Sequence, residues 1–292
     1  MSTLGSVAAP IVAPASMDGD EDPCAQLIEA TRARRRGTSG PTLRSALAAC
    51  RNARVVPAQC VDRTGRDALA LAAARGSPSD VRTLLANGFN PNAEDNHGIR
   101  PLSIAAQRGH PAIVSLLSKA GAETAAVDVF GLAALHKAAA FGHAAVAKTL
   151  LNAGADPNAP TAHVTAAQHL QSEGSRGLPP LHLTVRASAG APTANKCDTA
   201  ATLLAGGADV NGRDNAGNTP LHACCGGSSG GGASAPSCDW RVALLLLREG
   251  ADPHAVDRAG QRPGSAVAFT SSPLCWLTLA FASRNAHPGQ RQ

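Results

Sequence analysis

A fixed spacing constrains this chain more than any single motif does. Gly65, Gly98 and Gly131 stand 33 residues apart, and their surroundings recur with them. Gly98, Pro101, Leu102, Ala105, Ala106, Gly109 and His110 return as Gly131, Ala134, Leu135, Ala138, Ala139, Gly142 and His143. Each copy begins at an Asp three residues before its Gly. An apolar segment follows each copy (113–117 and 146–151), and then a Gly-Ala turn at Gly121–Ala122 or Gly154–Ala155. One unit therefore reads as turn, short helix, Gly-His break, second helix and exit. A period of this length implies stacked units, because one such unit cannot bury its own apolar face.

The pieces of the unit have physical reasons. Pro101 suits the first turn of a helix, where its missing N–H would have no partner in any case. Gly109 and Gly121 fall where a helix must stop and the chain reverse in a left-handed conformation. The Ala pairs let neighbouring helices approach closely. The second copy, written Asp-x-x-Gly-x-x-Pro-Leu-x-x-Ala-Ala-x-x-Gly-His from Asp95 to His110 with Ala120-Gly121-Ala122 after its second helix, resembles the ankyrin repeat. The resemblance implies an all-α repeat solenoid of helix-turn-helix units joined by β-turn or hairpin loops, with a concave surface offered to a partner protein.

Composition agrees. The 292 residues are 44% apolar but only 2% aromatic, which suits small close-packed helices and not a core filled by large rings. The longest apolar run near the end, Pro273–Ala282, is half of the ~20 residues a bilayer span requires, so no membrane insertion is expected. The net charge of +5 admits acidic partners. With no Tyr and few Phe or Trp it does not argue for nucleic acid.

In chain order, residues 1–21 read as a disordered Ala/Pro/Ser-rich tail without signal-peptide character, so the expected location is intracellular and cytoplasmic. Residues 22–61 read as a helical N-terminal cap or degenerate repeat. Arg32, Arg34, Arg35 and Arg36 within it are either a nuclear-import patch or a solvated helix end. Three full units follow at 62–94, 95–127 and 128–160; the first has Asp67-Ala68 where Thr-Pro is usual in the family and Ala70 in place of the His. Beyond Pro160 the glycine spacing stretches to 46, 40 and 43 residues. The excess is assigned to an insertion at 161–173 between units, to a loop around Ser188–Lys196 in the unit 174–213, and to the Gly/Ser-rich Gly226–Ser237 in the unit 214–256. Residues 257–283 read as a divergent C-terminal capping repeat and 284–292 as a frayed tail. The eight cysteines show no framework spacing and are expected to be unpaired thiols.

Catalysis finds little support. His136, His182 and His222 share one place in the unit, one residue after the Leu of the first helix, where in the family the imidazole hydrogen-bonds turn backbone. His222, Cys224, Cys225 and Cys238 have zinc-binding atoms but no Cys-x-x-Cys pair. No phosphate loop, nucleophile elbow or His-Glu-x-x-His is present. The reading is therefore no enzyme, no cofactor and no metal, but a monomeric protein-binding adaptor or scaffold. The alternative is a substrate-recruiting subunit of a ubiquitin ligase, for which Pro273–Leu279 bears only a vague likeness to the docking box behind some ankyrin arrays.

In the family, partners meet the turn tips and the end of the first helix. Carried onto this sequence, those places are Arg63, Thr64, Arg66 and Arg75 in the first unit; Glu94, Asn96, His97, Ile99, Gln107 and Arg108 in the second; and Val127, Val129, Phe130, Leu132 and Phe141 in the third. The third set is apolar where a tip is normally polar, giving a patch rimmed by Arg66, Arg75 and Arg108 that fits a partner presenting an apolar anchor flanked by acidic residues. Two outcomes are open: the patch faces solvent, or Phe130 and Phe141 pack on each other or under the insertion that follows.

Repeat register places Leu117 between stacked helices, so Leu117→Ala is expected to cost about 2–5 kcal/mol. Deleting residues 227–235 is expected to leave the transition nearly unchanged. Thermal and urea unfolding of both variants checks the pair, and equal damage would refute the loop assignment.

Overall fold

Each unit is two short helices because its sequence interrupts one long one. In the computed structural model, which describes residues 22–32, 42–162, 177–186, 193–225 and 240–264, Gly109 takes φ +75° at the break of the second unit. His110 N–H then turns back to Ala105 O at 3.0 Å, and Pro111 opens the next helix. A side chain at Gly109 is excluded twice, since a Cβ there would also lie 2.7 Å from the His143 ring of the next unit. Among the described residues twelve α-helices follow in order: α1 (Pro23–Arg32), α2 (Leu43–Asn52), α3 (Ala68–Arg75), α4 (Pro78–Ala86), α5 (Pro101–Arg108), α6 (Pro111–Lys119), α7 (Ala134–Phe141), α8 (Ala144–Asn152), α9 (Pro180–Arg186), α10 (Thr193–Ala205), α11 (Pro220–Cys224) and α12 (Trp240–Arg248).

These helices stack in two layers. First helices α1, α3, α5, α7, α9 and α11 pack in sequence, and so do second helices α4, α6, α8, α10 and α12. The interface uses the residues that the periodicity selects. Leu69, Leu102, Leu135, Leu181 and Leu221 are buried in the first layer, with Leu84, Leu117, Leu150, Leu203 and Leu246 in the second. The pairs Ala72-Ala73, Ala105-Ala106 and Ala138-Ala139 are fully buried, so backbones meet closely with little side-chain volume between them. The architecture is the all-α repeat solenoid expected, with isolated antiparallel bridges Val61–Asp67 and Val127–Ala133 at the hairpin tips.

Polar ladders run beside the apolar one. Asn92 Nδ2 donates to Gly121 O (3.1 Å) while its Oδ1 accepts from Glu123 N (2.9 Å). Asn158 and Asn211 bridge to Gly207 and Asp209, and to Gly250 and Asp252, in the same way. Ala125 holds this place in the second unit and has no side-chain amide to make the bridge, while Arg100, tying Glu94 to Glu123, reinforces the junction that Asn92 already spans. The three histidines form another ladder: Nε2 of His136, His182 and His222 contacts Ala159 O, Asn218 O and Gln261 O at 2.9, 2.9 and 3.0 Å.

The N-terminal end departs from expectation. Cys24, in the first turn of α1, is disulfide-bonded to Cys60, just before the first tip. Reading all eight cysteines as unpaired was wrong for these two. A sequence separation of 36 belongs to no framework pattern, and only the docking of α1 on α3 brings the two together. Cys50, Cys197, Cys224 and Cys225 carry no disulfide.

Two insertion boundaries also move. Thr161 N donates to Leu178 O (3.1 Å) and Thr161 Oγ1 accepts from Leu178 N (3.0 Å), which repeats the bonding of Asp128 to Leu132. Thr161 therefore stands in the place of the turn Asp. The extra residues enter between Ala162 and Gly177, within the fourth turn tip and not between units. In the same unit α10 begins at Thr193, so Thr193–Lys196 are helical and not loop. The tail 1–21, Arg34–Arg36, residues 163–173, Gly226–Ser237 with Cys238, and everything beyond Gly264, including Cys275, Pro273–Leu279 and most of the terminal cap, lie outside the described residues. No helix among the described residues is long and apolar enough to cross a membrane.

Burial lowers the pKa of both His136 and His182, and Nδ1 of His136 must stay unprotonated to accept from Ala133 N (3.2 Å). A folded-state pKa below the unfolded value means that stability is complete above about pH 6.5 and is lost as the pH falls below it. The urea midpoint should drop between about pH 7.5 and about pH 5.5, a window above the titration of carboxylates. A flat profile would show that the folded chain protonates these rings as readily as the unfolded one.

Candidate protein-binding surface

The turn tips are built by one carboxylate oxygen each. Asp62 Oδ1 accepts from Thr64 N (2.8 Å) and Arg66 N (3.0 Å), Asp95 Oδ1 from His97 N and Ile99 N (both 2.9 Å), and Asp128 Oδ1 from Phe130 N (2.9 Å) and Leu132 N (3.0 Å). Adjacent tips are joined by single main-chain bonds, Asn96 N to Thr64 O and Val129 N to His97 O, both 3.1 Å. Burial alone would raise the Asp62 carboxyl. Hydrogen bonds from the Thr64 hydroxyl, from the Arg66 and Thr64 amides and from Arg32 outweigh it and bring the pKa down to about 2.

On this frame the residues selected from sequence divide into two groups. Arg66 Nε lies 3.1 Å from Asp95 Oδ2, and Arg75 is held by Thr31 O at the end of α1 and by Asp80 of α4. Both guanidiniums are occupied within the molecule and join the units together. Asn96, His97 and Arg108 are exposed, while Ile99 and Gln107 are half-buried; the Gln107 carbonyl also meets His143 Nε2 at 3.1 Å. In the third unit Val127, Phe130 and Phe141 are 41%, 37% and 48% exposed, with Val129 and Leu132 half-buried between them. The Phe141 ring lies nearly parallel to His143 with centroids 6.3 Å apart.

Register defines how unusual the third unit is. The two residues after the turn Asp are Arg63-Thr64, Asn96-His97 and Val129-Phe130 in successive units, and the last residue of the first helix is Arg75, Arg108 and Phe141. Helices α5 and α7 are neighbours in one layer, which puts Arg108 and Phe141 roughly 8–10 Å apart by helix spacing. An exposed apolar strip therefore adjoins an exposed polar one made of Glu94, Asn96, His97 and Arg108.

Sequence reasoning missed the residue beneath this tip. Lys137 of α7 is 5% exposed, and its Nζ lies 2.8 Å from Asp128 Oδ2. The corresponding residues in neighbouring units are Leu71, Ile104 and Leu183, so a lysine in an otherwise apolar register was the available signal. The pair joins the first helix to the same carboxylate that shapes the Phe130 turn. No group of three or more metal-binding side chains occurs among the described residues; His222, Cys224 and Cys225 are buried in the stack.

Lys137→Met would leave the Asp128 carboxylate buried without its countercharge, at a cost of roughly 3–5 kcal/mol. Adding Asp128→Asn, whose amide oxygen still accepts from Phe130 and Leu132, should recover part of the loss. Guanidinium titration of the single and double variants measures both, and a single-variant cost below about 1 kcal/mol would place the pair among weak surface contacts.

Comparison with known proteins accords with this geometry. The family model described as Ankyrin repeats (3 copies) matches residues 15–128 and 69–161, and the single Ankyrin repeat model matches residues 216–258. No curated protein matches the chain. With the turn carboxylates, the histidine ladder and the two-layer stack in the same register as the matched segments, the chain belongs to the ankyrin repeat family.

Proposed function

We propose that this chain is a non-catalytic adaptor or scaffold that engages a partner protein through the turn tips and first-helix ends of its first three full units. Ankyrin repeats generally mediate protein–protein interaction and are typically non-enzymatic. The reading rests chiefly on one observation: the exposed side chains Val127, Phe130 and Phe141 fall where neighbouring units carry Glu94, His97 and Arg108. Apolar tips of this kind cost solubility unless they are used. Arg108 is exposed beside them, Arg63 is exposed two tips away, and neither forms an ion pair among the described residues.

That combination fits a partner segment with one apolar anchor flanked by acidic side chains. The anchor would lie against Phe141 and Val127, and the carboxylates would meet Arg108, His97 and Arg63. Aromatic and Arg side chains dominate binding energy where they become desolvated, whereas rim charges chiefly set the association rate.

Phe141→Ser should weaken binding of a partner recovered with the full chain by about 2 kcal/mol or more, while Arg108→Glu should slow association and reduce its salt dependence. Calorimetric and kinetic titrations of the purified partner against both variants test this, with unfolding curves as the control. Unchanged affinity in well-folded variants would remove the third unit from the binding surface. Cullin or elongin-type proteins among those recovered would favour the ligase-subunit reading instead.

A further inference from the structure

We propose that the Cys24–Cys60 bond is a reversible redox staple that sets whether the N-terminal helix α1 stays docked on the array. This inference stands apart from the binding surface. Helix α1 packs on both α2 and α3, and besides the Cys50–Pro23 hydrogen bond in its first turn several attachments hold it. Leu27 and Ile28 are buried against the stack; at its C-terminal end Arg75 reaches Thr31 O, and Arg32 lies 2.6 Å from Asp62 Oδ2. The disulfide secures the other end.

These attachments are unequal. Arg32 is 55% exposed, so its ion pair is screened and weak. A ten-residue helix is too short to persist off the array, so α1 is either docked or melted. Cross-linking residues 36 apart removes much of the chain freedom that melting would regain. Breaking the bond therefore shifts a two-state element and not merely a local contact. Release of α1 uncovers the apolar side of α3, against which it packs, and takes Arg32 from the carboxylate that shapes the first turn tip.

The chemistry balances with a thiol reductant of the glutathione or thioredoxin class. Cys24 is half-buried, whereas Cys60 is 1% exposed, so an external thiolate attacks the Cys24 sulfur and Cys60 leaves as thiolate and takes up a proton. A second reductant thiol then displaces Cys24 from the mixed disulfide. Two thiols are oxidised to one disulfide, and the protein bond is reduced to two thiols; the oxidised form of the same couple runs it in reverse. Cys50 is a poor competitor. It is fully buried, its Sγ donates to Pro23 O at 3.4 Å, and burial raises its pKa and keeps it protonated.

Trypsin places Cys24, Cys50 and Cys60 in separate peptides, since Arg32, Arg44, Arg51 and Arg54 intervene and Arg63 ends the last. After equilibration with oxidised glutathione, mass spectrometry of a non-reducing digest of the full chain should find the Cys24 peptide linked to the Cys60 peptide. Hydrogen exchange should then quicken in residues 23–32 by roughly ten-fold to a hundred-fold on reduction, with α6 unchanged as the internal reference. Cys60→Ser should show the fast exchange without reductant. Absence of the linked peptide, linkage of Cys24 to Cys50, or exchange in α1 that ignores reduction would each overturn the proposal; reduction of the unmodified chain decides the matter even if the variant fails to fold.

Discussion

The array depends on a carboxylate that accepts two backbone N–H groups at the start of each turn. In units that begin at Asp62, Asp95, Asp128, Asp214 and Asp257, one oxygen takes the amides two and four residues ahead, at 2.8–3.0 Å. The turn is closed before any neighbouring unit arrives, because every atom involved lies within five consecutive residues. The second oxygen is then available for a further partner, which changes along the stack: Arg32, Arg66 and Lys137 tie the first three tips to other elements, and in the fifth full unit Asn218 of the same turn takes it. One half of the group makes the units alike, and the other half makes them individual. Where Thr161 replaces the Asp, one hydroxyl accepts one amide and has no second oxygen; that is the tip which admits extra chain.

Stacking imposes a second constraint, and it explains the unusual composition. The His of one break sits over the Gly of the previous break, with the His110 ring 2.5 Å from where a Gly76 Cβ would lie and the His143 ring 2.7 Å from a Gly109 Cβ. That distance leaves no room for a side chain on the glycine. It also holds the helices close enough that alanine fills the gap, so an interface of Ala pairs and single Leu rows reaches high packing density without aromatic rings. Because each unit touches only its neighbours, perturbations stay local.

What could be read from sequence followed from these two constraints. Helix positions, buried Leu rows, the Gly breaks and the structural use of His136, His182 and His222 all recur at the period, and recurrence is visible in one chain. Pairings that use the period once were not visible. Arg75 appeared as a rim charge but reaches back to Thr31 and across to Asp80, because α1 supplies a bare helix end at that height only. Lys137 was overlooked because its partner is 9 residues away in a turn that seemed fully explained by its own amides. Cys24 and Cys60 met for the same reason: the fold of a degenerate unit, not a spacing, brought them together. The insertion at the fourth tip was misplaced because Thr161 does the work of an Asp without looking like one.

The third tip is where these effects converge. A buried Lys–carboxylate pair is seldom the most stabilising choice at a position where Leu or Ile serves in other units, so its value there is geometric. It fixes from below the carboxylate that fixes Phe130 and Leu132 from within, leaving the apolar loop little freedom to collapse onto the array. A rigid exposed apolar surface loses less entropy when a partner covers it than a mobile one does. The exposed Val and Phe residues and the costly pair beneath them are then two parts of one arrangement, in which stability is given up inside the unit to hold the shape of its edge.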